Sequence, residues 1–333
     1  MRHRPARTLH LLAAVVLLTA CTVRTAGAPN APTPEVQPVH AAQVSPPPPV
    51  ELALPSEVVP LVQGLTMPQA RSAEPAGPPD PRMPTLASQI DALLEERTGT
   101  YGVTVEWVPT QQRATHDAER EFESASVYKI AVAYEVLNQA DHAQIGLDDQ
   151  ITIDDEDAVE VEPEGGLAPN DEVSVWDALQ AMMGVSSNSA AHALMRLVGR
   201  VEINASLQAL GLQATRVPDD DDTDGSAVTT ASDMALLFDL LAEDRLLTPE
   251  SRESLRALLA IPKDLDPLLA CLPEGTEILS KPGNHERASN IAGLVATPNG
   301  PLIVSVFDED VDPGDARATI EAISQAAWDL YAE

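Results

Sequence analysis

The chain has 333 residues and a formal net charge of -32, with 52 acidic residues against 20 basic ones. That balance excludes nucleic acid and an anionic membrane surface as principal partners. Aromatic residues make up 3% of the chain and cysteines number two, so the core must be aliphatic and cannot rest on a disulfide framework.

Residues 1–21 read as an export signal. Arg2, Arg4 and Arg7 supply a positive start, and Leu9 to Ala20 supply an apolar run too short to span a bilayer stably. The run closes on Leu18-Thr19-Ala20-Cys21, which resembles a bacterial lipoprotein signal; Cys21 is then the expected lipidation site and the mature N-terminus. More than one acyl chain on Cys21 gives stable attachment, so the protein is expected to be exported and held on a membrane of the cell envelope. Residues 22–85 hold sixteen of the 29 prolines, including Pro46 to Pro49 in a row, and are expected to form an extended tether. Stretched out, it reaches on the order of 100 Å or more.

The folded part is expected over residues 86–333. Leu86, Ile90, Leu93 and Leu94 predict a short amphipathic helix, and Gly102 to Val108 alternates as a strand, with Pro109-Thr110-Gln111-Gln112 turning into a second. Val127, Ile130, Tyr134 and Leu137 have helical spacing and predict one buried stripe. From 141 to about 270 the pattern is helical, with segments at Trp176–Met183, Ala190–Val198, Val201–Leu210, Ala231–Leu241 and Pro249–Leu259 and no clear strand. Strand character returns at Thr276–Lys281, Ser289–Thr297 and Leu302–Phe307, and a helix carrying Ile320, Ile323, Ala327, Trp328 and Tyr331 closes the chain. Strands joined by tight turns pair antiparallel. The expected fold is therefore mixed α/β, of the α+β kind. One antiparallel sheet is built from both ends of the domain and flanked by helices, with an all-helical subdomain inserted between.

Three short patterns carry chemistry. Ser126-Val127-Tyr128-Lys129 starts the stripe helix, so a hydroxyl and an amine sit one turn apart on one face, near free backbone N–H groups. A serine so placed can be deprotonated by the lysine and attack a carbonyl carbon. Ser186-Ser187-Asn188 stands between Met182-Met183 and an alanine-rich helix; Ser280-Lys281-Pro282-Gly283-Asn284 ends a strand. Taken singly these read as a helix cap and a surface turn. Lysine is rare, however: only Lys129, Lys263 and Lys281 occur, and two of the three fall in these patterns.

In this order and spacing the three patterns resemble the motif set of class A β-lactamases and penicillin-binding proteins. The flanks agree, namely Leu210-Gly211-Leu212, Thr215-Arg216 and Thr229-Thr230-Ala231-Ser232-Asp233-Met234-Ala235. The resemblance implies Ser126 as nucleophile, Lys129 as its activating partner and Ser186 as the proton path to the leaving nitrogen. It also implies Asn188 and Gly283 in substrate binding, and Lys281 as a positive potential for the substrate carboxylate. The oxyanion hole falls to the backbone N–H groups of Ser126 and Asn284. Two lysines in one cleft depress each other's pKa, which leaves Lys129 a neutral base.

Three departures bear on the outcome. The usual aspartate of the second motif is Ser187, where a mainly structural role implies a modest effect. The loop that carries the family's deacylating glutamate is shortened to Thr215–Gly225 and holds no Glu; Asp220, Asp221 or Asp222 can substitute, Asp221 being the tentative choice. Pro282 replaces the hydroxyl residue of the third motif, and the family's assisting arginine falls near Asn290, with Arg287 close by. Acylation is thus legible and deacylation open. The readings are a β-lactamase-like serine hydrolase acting on β-lactams or related amides, a penicillin-binding D-alanyl peptidase with slow deacylation, or a non-catalytic binding protein on the same fold. No cofactor is expected. Nor is a metal, since His116, His142, His192 and His285 lack ligand spacing and Cys271 is isolated. A monomer is expected.

Overall fold

The computed structural model of the chain describes residues 80–159, 161–218 and 226–332. Cys21, the signal segment, the tether up to residue 79 and Asp221 lie outside the described residues. In chain order the elements begin with α1 (Arg82–Glu95), β1 (Thr100–Trp107), β2 (Gln112–His116), β3 (Phe122–Glu123), a 3₁₀ turn (Ala125–Tyr128) and α2 (Lys129–Asp141). The middle holds β4 (Gln150–Thr152), β5 (Glu172–Ser174), α3 (Val175–Gly184), α4 (Asn188–Val198) and α5 (Arg200–Leu210), then β6 (Val228–Thr229), α6 (Ala231–Ala242), α7 (Pro249–Ala260) and α8 (Pro267–Cys271). β7 (Ile278–His285), β8 (Ala288–Thr297), β9 (Gly300–Glu309) and α9 (Pro313–Tyr331) complete it.

The sheet order is β2-β1-β9-β8-β7, every neighbour antiparallel, so the last strand pairs with the first and both chain ends meet in one sheet. Alternation splits its side chains between two cores. Tyr101, Val103, Val105 and Trp107 of β1 and Leu302, Val304 and Val306 of β9 pack with α1 and α9. On the opposite face Leu294, Ile303 and Phe307 join the helical half. Gly102 faces that second side, where a Cβ would lie 2.5 Å from the Phe122 ring; only glycine lets β3 cross so close to β1. Arg82 fixes the outer layer by pairing with Asp80 at 2.7 Å and lying 4.3 Å over the Tyr331 ring. These contacts start α1 at Arg82, a turn before its first periodic leucine.

Two differences from the sequence reading have plain causes. β4, β5, β6 and α8 are strand and helix fragments of two to five residues, too short to leave a period. α2 is not a one-stripe helix. Lys129, Ala131, Val132, Ala133 and Glu135 are buried along with the four stripe residues, because the small alanines let neighbouring helices close on every side.

Candidate active site

The site forms where the free edge of the sheet meets the start of α2. The run-up to Ser126 is pinned first: β3 pairs with β6 as Phe122↔Thr229 and Glu123↔Val228, and Ser124 gives both its N–H and its Oγ–H to Ala227 O, at 2.8 and 3.0 Å. Ala125 then takes a left-handed conformation, φ 44°, which turns the chain sharply into the 3₁₀ turn. A non-glycine residue held this way costs about 1 kcal/mol or more, a local strain typical of constrained sites. Three residues per 3₁₀ turn place Ser126 and Lys129 in register along one face.

Lys129 is fully buried and gives three hydrogen bonds: 2.6 Å to Ser186 O, 3.1 Å to Ser186 Oγ and 2.7 Å to Asn188 Oδ1. As an ammonium it spends all three N–H donors on the Ser186–Asn188 segment; as a neutral amine it keeps two and gains a lone pair. Ser186 can offer both oxygens because it too is left-handed, φ 62°, between the end of α3 and the start of α4. Asn188 spends its carbonyl oxygen on Lys129, which leaves its two amide N–H donors for another acceptor. Ser187, where the resemblance expects aspartate, caps α4 by accepting from Ala190 N–H at 3.1 Å and also accepts from Leu167 N–H at 3.3 Å. That is a structural use of the position, in keeping with the expectation.

β7 is the edge strand, so the backbone groups that turn away from β8 are unpaired within the sheet. That edge runs against the 3₁₀ turn. A Cβ on Gly283 would lie 2.8 Å from Ser124 O and 3.0 Å from Ser126 N, so the strand approaches this closely only with glycine. Asn284, next along, turns its side chain to Ser289, whose hydroxyl donates to Asn284 Oδ1 at 2.7 Å. The strand backbone that meets the Ser126 N–H is thus that of Gly283, with Asn284 the next residue along. Lys281 is 1% exposed and donates to Ser186 Oγ at 3.2 Å and to Pro282 O at 2.9 Å. The Ser186 hydroxyl is thus shared by two amines from opposite walls.

Burial is the main force on both amines. It pulls Lys129 down to about 7, partly opposed by the negative charge of Glu162. Lys281 falls well below the usual lysine value, again through burial first, then through repulsion from Lys129 and Lys263. Repulsion between the lysines, expected from sequence to lower Lys129, is instead the second contribution for Lys281, whereas Lys129 is lowered by burial. The third lysine of the chain belongs to the same electrostatic group, which sequence patterns did not flag. Lys263 is buried, donates to Leu259 O at 2.6 Å and is lowered to about 8 by burial.

The candidate carboxylate grips fall elsewhere. Asn290 is fully buried, donating to Glu123 O at 2.9 Å and accepting from Asp308 N–H at 3.0 Å, so it ties β8 to β3 and β9. Arg287 pairs with Asp310. Neither is offered to the cleft. The shortened loop is pinched at its base, where Arg216 and Val228 exchange two backbone hydrogen bonds of 3.0 Å. Its first arm is held by Asp233, which accepts from Ala214 N–H at 2.9 Å and from Thr215 N–H at 2.8 Å. A second residue missed from sequence is Glu162, in the loop between β4 and β5; it accepts from Ser189 N–H at 2.5 Å, one residue past Asn188. Nothing in its sequence neighbourhood marks it.

The chain is similar to known proteins over nearly all of its folded part. The sequence model of the beta-lactamase enzyme family matches residues 85–331. The extended-spectrum beta-lactamase PER-1 of Pseudomonas aeruginosa is 26% identical over 270 residues, covering 74% of this chain and 87% of its own. The crystal structure of a beta-lactamase from Sphaerobacter thermophilus is 26% identical with a TM-score of 0.66, covering 73% of this chain and 95% of that one. PBP-A, solved as a variant in an acyl-enzyme complex with penicillin G, has a TM-score of 0.69 at 23% identity over 76% of this chain and 98% of its own, a likeness of fold.

Proposed function

The chain belongs to the beta-lactamase enzyme family, and from that premise we propose that it forms an acyl-enzyme on Ser126 from β-lactams or related amides and hydrolyses it. The observation that carries this reading is the convergence of Lys129, Ser186, Asn188 and Lys281 on one hydrogen-bonded cluster beside Ser126. Ser126 Oγ attacks the amide carbonyl carbon as Lys129, neutral above about pH 7, takes its proton. The oxyanion lies between the Ser126 and Asn284 N–H groups. Ser186, bonded to both amines, passes the proton to the leaving nitrogen as the C–N bond breaks. Asn188 offers its free amide N–H groups to the substrate's side-chain carbonyl, and Lys281 draws the substrate carboxylate, whose charge in turn favours the ammonium form.

A second reading, a penicillin-binding D-alanyl peptidase whose acyl-enzyme persists, is favoured by the pinched loop and by the displaced Asn290 and Arg287. Turnover of a chromogenic cephalosporin together with the intact mass of the protein separates the two. Repeated turnover supports hydrolysis, a stable adduct supports the peptidase, and neither leaves a non-catalytic binding protein.

The acylation rate should follow the charge of Lys129. A base lowered to about 7 is protonated in acid, so the rate is expected to rise about tenfold per pH unit below 7 and level off above. Burial sets this limb and Glu162 from the β4–β5 loop opposes it, while Lys281 from β7 and the neutral groups of Ser186 and Asn188 share the same cluster. Stopped-flow acylation between pH 5 and 9 measures it; a profile flat across pH 7 contradicts the assignment.

Export and lipid attachment at Cys21 complete the reading, supported by the sequence of residues 1–21. Cys21→Ala is expected to move the protein from the membrane pellet to the soluble fraction. Unchanged pelleting of the variant contradicts it.

A further inference from the structure

The closest approach in the site is made by backbone, where Gly283 of β7 lies against Ser124 O and Ser126 N. The partner of Gly283 across the β7–β8 ladder is Asn290. Cross-strand partners point to the same face, so the Asn290 side chain comes out beside Gly283, toward the same run of chain. There its amide donates to Glu123 O at 2.9 Å, three residues before Ser126. Glycine permits the approach, and the asparagine holds it.

Asn290 is itself fixed from behind. The β8–β9 ladder stops at Ile291↔Val306, while the β7–β8 ladder runs on to His285↔Ala288. Past Ile291 two side chains stand in for backbone partners. Asn290 Oδ1 accepts from Asp308 N–H at 3.0 Å, and the Asp308 carboxylate accepts from Ser289 N–H at 3.2 Å. Only a nitrogen can donate to Glu123 O and only an oxygen can accept from Asp308 N–H, so the fully buried amide has one orientation. Ser289, opposite Asn284 in the ladder, donates from its hydroxyl to Asn284 Oδ1 at 2.7 Å. Neighbouring positions of β8 thus hold both the run that leads into Ser126 and the residue that carries the second N–H of the proposed oxyanion hole.

We propose that Asn290, with Ser289 beside it, is a positioning residue that sets the gap between the Ser126 and Asn284 N–H groups. The inference rests on the acyl-enzyme reading above. Asn290 makes no bond to substrate in this role; it acts through the β3 carbonyl and the edge strand. An oxyanion forms only as Ser126 Oγ bonds to the amide carbon. Misplaced donors therefore lose transition-state stabilisation and leave ground-state binding nearly intact. The position near which the family pattern has an arginine serves the backbone in this chain rather than the substrate.

Asn290→Ala in the full chain removes both side-chain bonds. Stopped-flow acylation by a fluorescent penicillin, over a range of concentrations, reads rate and binding apart. The limiting rate is expected to fall about 100-fold, while the half-saturating concentration stays within about threefold of wild type. A residue that serves the fold alone lowers the unfolding temperature and does not produce this split. A folded variant with a limiting rate near wild type overturns the proposal, and so does a loss carried entirely by a raised half-saturating concentration. If Asn290→Ala does not fold, Ser289→Ala decides, since it deletes one hydroxyl and leaves Asn290 in place. Its limiting rate is expected to fall about tenfold at unchanged half-saturation, and an unchanged rate overturns the proposal. A wild type that takes up no penicillin overturns the acyl-enzyme reading, and this inference with it. A wild type that acylates beside an unaffected variant overturns this inference alone.

Discussion

Replacing Ser126 with alanine is expected to abolish the covalent adduct with a fluorescent penicillin and to lower hydrolysis of a chromogenic cephalosporin by roughly 10⁴-fold or more. The effect is large because every other group of the cluster serves this oxygen. In the proposed reaction Lys129 and Ser186 move its proton, and the Ser126 and Asn284 N–H groups hold the charge its attack creates. Without the nucleophile, those groups retain substrate binding and some polarisation, so a small residual rate is the expected floor. Folding is a poor alternative explanation for such a loss. Ser126 is half-buried on a 3₁₀ turn whose anchors are Ser124 and Ala125, and removing one hydroxyl there should change stability by no more than about 0.5 kcal/mol. Thermal unfolding of the variant checks this. Cephalosporin hydrolysis that survives Ser126→Ala near the wild-type rate contradicts the assignment.

The second large effect falls on a residue with no chemistry. Gly283→Ala puts a carbon 2.8 Å from Ser124 O and 3.0 Å from Ser126 N, and both are backbone atoms that cannot swing aside as a side-chain tip does. The edge of β7 must retreat from the 3₁₀ turn, which widens the gap between the Ser126 and Asn284 N–H groups. Loss of one well-aimed oxyanion donor costs about 10²- to 10³-fold in rate, and the strain of the misfit adds about 1–3 kcal/mol of lost stability. The acylation rate and the urea midpoint measure the two parts separately. A variant that acylates at the wild-type rate contradicts an oxyanion hole at this junction.

Much of the fold and the family was legible from residue patterns because both rest on local signals. Ser126 and Lys129 share a helical start, and scarce lysine made Lys281 stand out. Alternation marked β1, β8 and β9 as strands, the tight turns between consecutive strands pointed to antiparallel pairing, and α1, α3 to α7 and α9 left a readable period. What stayed hidden depends on long-range contact. Glu162 lies in a loop without periodicity, and its meaning comes from a hydrogen bond to Ser189 across 27 residues. Lys263 falls in none of the three patterns, yet it is buried and its charge acts on Lys281. Asn290 occupied the position of a cleft arginine in the aligned pattern, yet its side chain lies inside, tying β8 to β3 and β9. Such roles are set by tertiary contacts that no local window contains.

The central claim is that Ser126 becomes acylated and is then freed. Peptide mapping of the fluorescent penicillin adduct, quenched in acid at short and long times, tests it most directly. The expected result is label on the peptide containing Ser126 at short times, disappearing as hydrolysed penicillin accumulates in excess over protein. Label on any other residue, or none at any time, contradicts the account.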